Sequence, residues 1–274
     1  MIATLALVQD TFREALARKI FWGLFGLSTL MILFFLFLLK IDIVEGALAT
    51  VSLFGRTTSR TQSVDELVIG AYAGIAVFLY TWGMFLAVLA SAGLIPAVLE
   101  PGRIGLLLSK PISRIHILLG RYLGNILVIG SNVTYLVLGV WIILGIKTNI
   151  WRASFLASIA STMFIFAVLL AVVVLMGVLF ESAALATMVS VGLMIMSPIL
   201  AQTTTVMKLL SSEWSRQLWR GLYYVFPKIF DLGQMTLGLI RNGHYDSWMP
   251  VWSSALFGII ILSLAIGFFQ RRDF

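Results

Sequence analysis

Cysteine is absent from the 274 residues, which excludes disulfides, thiolate metal sites and a cysteine nucleophile. Histidine occurs only as His116 and His244, in different connections between apolar runs. Neither a paired-histidine metal site nor a histidine-activated serine at membrane depth is therefore within reach. Charge is scarce: 11% of the residues are charged and 60% hydrophobic, whereas a soluble domain carries about a quarter charged. The sequence also lacks a G-x-x-x-x-G-K-[ST] phosphate loop, so it holds no ATPase motif of its own. Finally, the apolar runs have no carboxylate near their middles. Asp65, Glu66, Glu100 and Glu181 all fall at run ends, which argues against a proton-coupled carrier.

What remains is an integral membrane protein with a formal charge of +7. Its basic residues cluster at the ends of apolar runs, which encodes topology rather than nucleic-acid binding. Six transmembrane helices are expected, near 20–39, 69–99, 117–146, 153–180, 183–201 and 251–269. The run 153–201 contains only one charge, Glu181, and splits at Glu181-Ser182 into two helices joined by a tight turn. The positive-inside rule puts the loop 96–116, that turn and both termini in the cytoplasm. Run 69–99 is longer than a bilayer needs, so its helix should project, tilt or bend near Gly93 and Pro96.

Ahead of the first span, Leu5, Val8, Phe12, Leu16 and Ile20 alternate with Gln9, Asp10, Arg13, Glu14 and Arg18, the period of an amphipathic helix lying in the membrane interface or, alternatively, packed on the bundle as a cap. The run after it is longer than a signal-peptide core, so it reads as a retained span. Residues 40–67 are mixed and nearly neutral. Residues 202–250 form the longest connection, expected outside. There Val206, Leu210, Trp214, Leu218 and Leu222 make one i, i+4 row and Lys208, Ser212, Arg216 and Arg220 another. This predicts an amphipathic helix at the outer interface, anchored by Trp214, Trp219, Tyr223 and Tyr224. Within the spans, Asn125, Ser131, Asn132 and Thr134, with Ser154, Ser158, Ser161 and Thr162, read as helix stitching; Gly139 and Gly145, or Gly83 with Ala87, mark close helix approach. No repeat or linker is visible, so 1–274 is read as one domain.

One stretch resists the bland reading. Between the second and third runs, Arg103, Lys110, Arg114 and Arg121 face Glu100 as the only acidic residue of the connection. Pro101-Gly102 breaks the helix, Ile104 to Leu108 supplies a short apolar segment, Ser109-Lys110-Pro111 breaks it again, and Ser113 is placed to cap the next helix. A short apolar segment flanked by basic residues suits either the membrane face or a groove on a cytoplasmic partner.

Glu100, the Leu106-Leu107-Leu108-Ser109 run, Pro111, Ser113-Arg114 and Leu118-Leu119-Gly120-Arg121-Tyr122-Leu123-Gly124 resemble the cytoplasmic signature of ABC-2 type transporter permeases. Phe12-Arg13-Glu14 and the closing Phe269-Gln270-Arg271-Arg272-Asp273-Phe274 are similar to that family too, and the nearest branch is the permease type found with nitrous-oxide reductase maturation transporters. One departure is that Pro101-Gly102-Arg103 follows the first glutamate where family members commonly carry a second acidic residue and glycine.

The resemblance implies that Glu100, Arg103, Ile104, Leu106, Leu107, Leu108, Lys110, Pro111 and Arg114 form a coupling helix and its flanks, docking on a separate ATPase subunit. It implies a secondary cytoplasmic contact at Glu181 and Ser182, and an interface helix at 1–19. It further implies two permease halves, as homodimer or heterodimer, two ATPase copies, and ATP with Mg in those subunits rather than any cofactor in this chain. The expected role is a permease subunit of an ABC exporter, not an enzyme, in the inner membrane of a prokaryote and without nucleic-acid partners. Two alternatives stand beside it. A membrane anchor could recruit a non-ATPase partner through the same loop, and an ion-coupled carrier would be favoured by transport with a gradient and no ATP.

Overall fold

The computed structural model describes residues 2–17, 19–44, 48–53, 56–57, 62–99, 102, 113–209, 212–245 and 247–272. Among them, six helices are long and apolar enough to cross a membrane. Helix α1 (Ile2–Ala17) precedes α2 (Lys19–Leu33), which continues into a π-helical turn at Phe34–Leu38. The second crossing is built from α3 (Val64–Phe78), a π turn (Leu79–Gly83), α4 (Met84–Ala92) and α5 (Leu94–Leu99). The third is α6 (Arg114–Thr148). A 3-10 turn at Ala153–Leu156 leads into α7 (Ala157–Phe180), and α8 (Ala183–Ala201) follows. Helices α9 (Thr203–Leu209), α10 (Glu213–Val225) and α11 (Ile229–Asn242) precede the last crossing, α12 (Met249–Arg271).

Helix α7 is the hub. It is apolar on every side, the pattern of a helix surrounded by others, and 67% of its most apolar window is buried, against 11% for α2 and for α12. Helices α4, α6, α8, α11 and α12 all pack on it.

Residues 39–44, 48–53, 56–57 and 62–63 form a small antiparallel sheet, where the sequence predicts only a mixed, nearly neutral connection. Strand β1 (Leu39–Val44) pairs with β2 (Leu48–Leu53) from Leu39 opposite Leu53 to Val44 opposite Leu48. Strand β2 also pairs with β3 (Arg56–Thr57) and β4 (Gln62–Ser63). The signal was the period-2 alternation Lys40-Ile41-Asp42-Ile43, which is short and easily lost beside a membrane-length run. Next to it, the second crossing begins at Val64 rather than 69. The Ser63 hydroxyl accepts the Glu66 N–H at 3.3 Å, and Asp65 and Glu66 occupy the first turn, where carboxylates favour a helix start. At the other end Gly93, one of the two positions where the sequence allows a bend, interrupts the helix before α5.

At or beside each π turn a side chain bonds a backbone carbonyl. Thr81 donates to Val77 O at 2.7 Å, beside the Leu79–Gly83 turn. Lys147, near the end of α6, donates to Phe35 O at 2.8 Å and Leu36 O at 2.7 Å, tying the third crossing to the end of the first. The second crossing keeps one face toward the core throughout: Val64, Val68, Tyr72, Ile75, Ala76 and Leu79 are buried before the turn, and Met84, Ala87, Val88 and Ser91 after it.

The connection after α8 is three helices, not one amphipathic rod. Helix α9 ends at Leu209 and α10 starts after Ser212, whose backbone is extended at φ −89°, ψ 138°. Helix α10 buries none of its residues, and Trp214, Leu218 and Val225 are exposed along one side. Helix α11 turns inward, burying Ile229, Leu232, Gly233, Thr236, Leu237 and Ile240. A Cβ on Gly233 would lie 3.2 Å from the Tyr80 ring, so α11 reaches the middle of the second crossing. It is fixed to α8 beside Pro198, where the Ser197 hydroxyl accepts the Phe230 N–H at 2.9 Å.

The two ends of the bundle differ. One, the α1 end, gathers α1, the start of α6, the turn between α7 and α8 and the end of α12. The other, the sheet end, gathers the strands, the α6–α7 turn and α9–α11.

Candidate functional site

At the α1 end, α1 lies against the first turns of α6. The contact is made by Leu7, Thr11 and Ala15, all buried, which is a face beside the predicted Val8-Phe12-Leu16 stripe and leaves Leu16 exposed. The rotation follows from α6, which presents Gly120 and Gly124. A Cβ on Gly120 would sit 2.7 Å from Leu7 Cβ, and one on Gly124 2.6 Å from Thr11 Cβ. Two small residues four apart let the helix axes approach closely, and only a slim face of α1 fits.

Between those glycines Arg121 points into the contact. Its side chain is 2% exposed, and it donates to Asp10 at 2.9 Å and to Glu14. The counter-charges that the loop itself does not supply thus come from α1, one helical turn apart on its neighbouring face. A guanidinium this buried needs such partners, because an uncompensated charge there costs several kcal/mol. This site escaped the sequence reading. Its signals were the Gly-x-x-x-Gly at 120–124 and the acids at i, i+4, each present in the sequence but 107 to 111 residues apart.

Among the residues expected to meet a partner, Glu100, Arg103, Ile104, Leu106, Leu107, Leu108, Lys110 and Pro111 lie outside the described residues. Arg114, Glu181 and Ser182 are described, and they converge. Ser113 caps α6 as its position implied, accepting the His116 N–H at 3.5 Å. Arg114, in the first turn, donates to Gln270 O at 3.0 Å and to Arg272 O, the terminal carbonyls of α12. Arg272 in turn pairs with Glu181 and donates to Val178 O near the end of α7. Ser182 is the cap of α8, accepting the Leu185 N–H at 3.3 Å.

The sheet end carries a second charged group. Lys228, before α11, is 2% exposed and sits outside the six crossings. Its ammonium donates to Tyr223 O at 2.9 Å and Ser253 Oγ at 3.0 Å and lies 4.2 Å from the Tyr223 ring centre. Burial lowers its pKa below the usual lysine value, with the Asp231 carboxylate opposing the shift. The Tyr223 hydroxyl donates to Asp231 at 2.7 Å; burial first, then that bond, raises the pKa of Tyr223. Nearby, Arg152 pairs with Asp65 and fixes the α6–α7 turn to the start of α3.

Of the polar residues inside crossings, Asn132 stitches helices, accepting from Ser28 at 2.9 Å. Ser131, Ser158 and Ser161 bond carbonyls of their own or the adjoining turn instead. The cavity that Ser28, Asn132 and Thr162 border, between α2, α4, α6 and α7, amounts to about 30 Å³, room for one or two waters. Gly139 and Gly145 do make close approaches, to Ile32 and Trp151, whereas Gly83 touches only its own helix.

No curated protein matches the chain. A family model described as ABC-2 family transporter protein matches residues 5–274. Six apolar helices, the buried hub among them, fit that match, and the chain belongs to the ABC-2 transporter family as a transmembrane transporter subunit with an ABC ATPase as its implied partner.

Proposed function

We propose that the chain is one half of an ATP-driven exporter, of the permease type found with nitrous-oxide reductase maturation transporters, in a prokaryotic inner membrane. The α1 end faces the cytoplasm. The ATPase subunit docks on the segment around Glu100 to Leu108, and two copies of it serve two permease halves. ATP binding closes the ATPase pair and moves the docked segment, and the halves rock to open a path between them. Such a shift requires that the ATPase bind two permease conformations with different affinity.

The observation that carries this reading is the bonding of Arg114. The docking segment leads directly into this residue, and its guanidinium holds the last carbonyls of α12. A pull on the segment therefore acts on the third and sixth crossings together. Clamped by Arg121, α1 moves with them as an interface helix.

Leu106→Asp or Leu107→Asp should abolish co-purification of the ATPase, or its stimulation by the permease, while membrane insertion stays intact. ATPase stimulation at the unsubstituted level in both variants would sink the docking assignment.

A further inference from the structure

Glu181 occupies a position where its backbone disfavours it. The residue after α7 has φ +51° and ψ 22°, a left-handed conformation that helix ends normally give to glycine. Strain of this kind persists where the side chain does something its replacement could not. What glutamate adds here is a carboxylate, and that carboxylate meets Arg272.

The partners of Arg272 extend the argument. Its guanidinium also takes Val178 O, an end carbonyl of the hub helix. Its own carbonyl and that of Gln270 receive Arg114. A cation at a helix C-terminus is favourable, and the ends of α12 and α7 are capped this way by Arg114 and Arg272. The chain of contacts runs from Arg114 at the head of α6, through the last turn of α12, to the turn between α7 and α8. The Glu181 side chain is 52% exposed and that of Arg272 28%. A solvated pair of this kind is weak and easily broken, which suits a contact that opens in a working cycle better than one that holds the fold together.

We propose that Glu181 and Arg272 form a latch, with both as positioning residues: closed, it joins the α7–α8 turn to the exit of the docking segment, so that motion taken up at Arg114 reaches the hub helix. This assigns Glu181 an intramolecular role in place of the direct partner contact expected from the sequence. The inference rests on the proposed function, since it needs an ATPase whose motion is transmitted.

The test uses the permease co-expressed with its ATPase subunit, reading ATPase co-purification, permease-stimulated ATP hydrolysis and melting temperature. Glu181→Gly relieves the backbone and removes the charge. It should melt at or above the unsubstituted protein, retain the ATPase, and lose at least tenfold in stimulated hydrolysis. Glu181→Arg and Arg272→Glu should each lose a similar amount, and the two together should recover to within about threefold of the starting rate. A purely structural turn would not separate stability from coupling in this way. Hydrolysis at the unsubstituted rate in Glu181→Gly, or a double reversal no better than either single one, would overturn the latch. Failure of the unsubstituted permease to retain any ATPase would instead overturn the proposed function and the coupling role together.

Discussion

Thr11 stands where any side chain at position 124 would have to be: a Cβ on Gly124 would lie 2.6 Å from the Cβ of Thr11. Both atoms are fixed to their backbones, so no rotamer relieves the clash, and the helix α1 must move.

Gly124→Ala is therefore expected to destabilise the protein by about 1–3 kcal/mol, the usual cost of overpacking, and to loosen α1. Gly74→Ala is the matched control. Nothing lies within 4 Å of a Cβ there, and replacing a helical glycine by alanine in open space stabilises by roughly 0.5–1 kcal/mol. Melting temperatures should shift in opposite directions, and equal shifts would remove the close approach as an explanation.

The two acids around Arg121 should not be equivalent. Glu14 is 16% exposed and Asp10 58%, so water screens Asp10 far more. Glu14→Gln should cost more than Asp10→Asn. The double variant should approach about 3–5 kcal/mol, the cost of leaving a buried charge without a partner. Arg121→Met should be milder than that double variant, because the carboxylates at the edge can take up water. Melting of the four purified variants would check the order.

Lys228 predicts a pH dependence of definite sign. Its pKa in the fold is lowered, so below that lowered value the lysine is charged in both states and the fold bears the desolvation cost. Between the lowered value and the ordinary one, the unfolded chain holds a proton that the fold does not, and stability rises with pH. Melting temperature should climb as the pH approaches 10.0 by an amount that Lys228→Met abolishes. The range stops there because Tyr223, with its raised pKa, takes stability the other way above its ordinary value of 10.0.

Helices that face lipid or the hub announce themselves, and so the six apolar helices were legible from runs of hydrophobic residues. A local cap was legible too: Ser113 needs only the residues three positions on, whereas Ser182, read as part of a tight turn, is a cap that the sequence shows by the same signal. What stayed hidden was every contact made by closing a long loop. Arg121 was read as a topology signal, since nothing near it in sequence supplies a counter-charge, and its acids lie in α1. Arg114 and Arg272 were likewise counted as cytoplasmic charge, although each caps a helix more than ninety residues away. Helix α11 was hidden for a different reason. Its buried face carries Gly233 and Thr236 among the aliphatics, too polar and too short for a membrane-length search.

The π turn at Leu79–Gly83 spans five positions between the buried residues Leu79 and Met84, where a regular helix would use three or four. The second crossing thus carries one residue more than its core contacts use, stored in a single wide turn. Removing any one residue elsewhere in α3 or α4 would rotate everything beyond it by about 100° and face the wrong side chains inward. Removing one within 79–83, with Thr81 kept, would close the wide turn into an ordinary one and leave both halves in register. This crossing should therefore tolerate a single-residue deletion at one height in the membrane and nowhere else along its length.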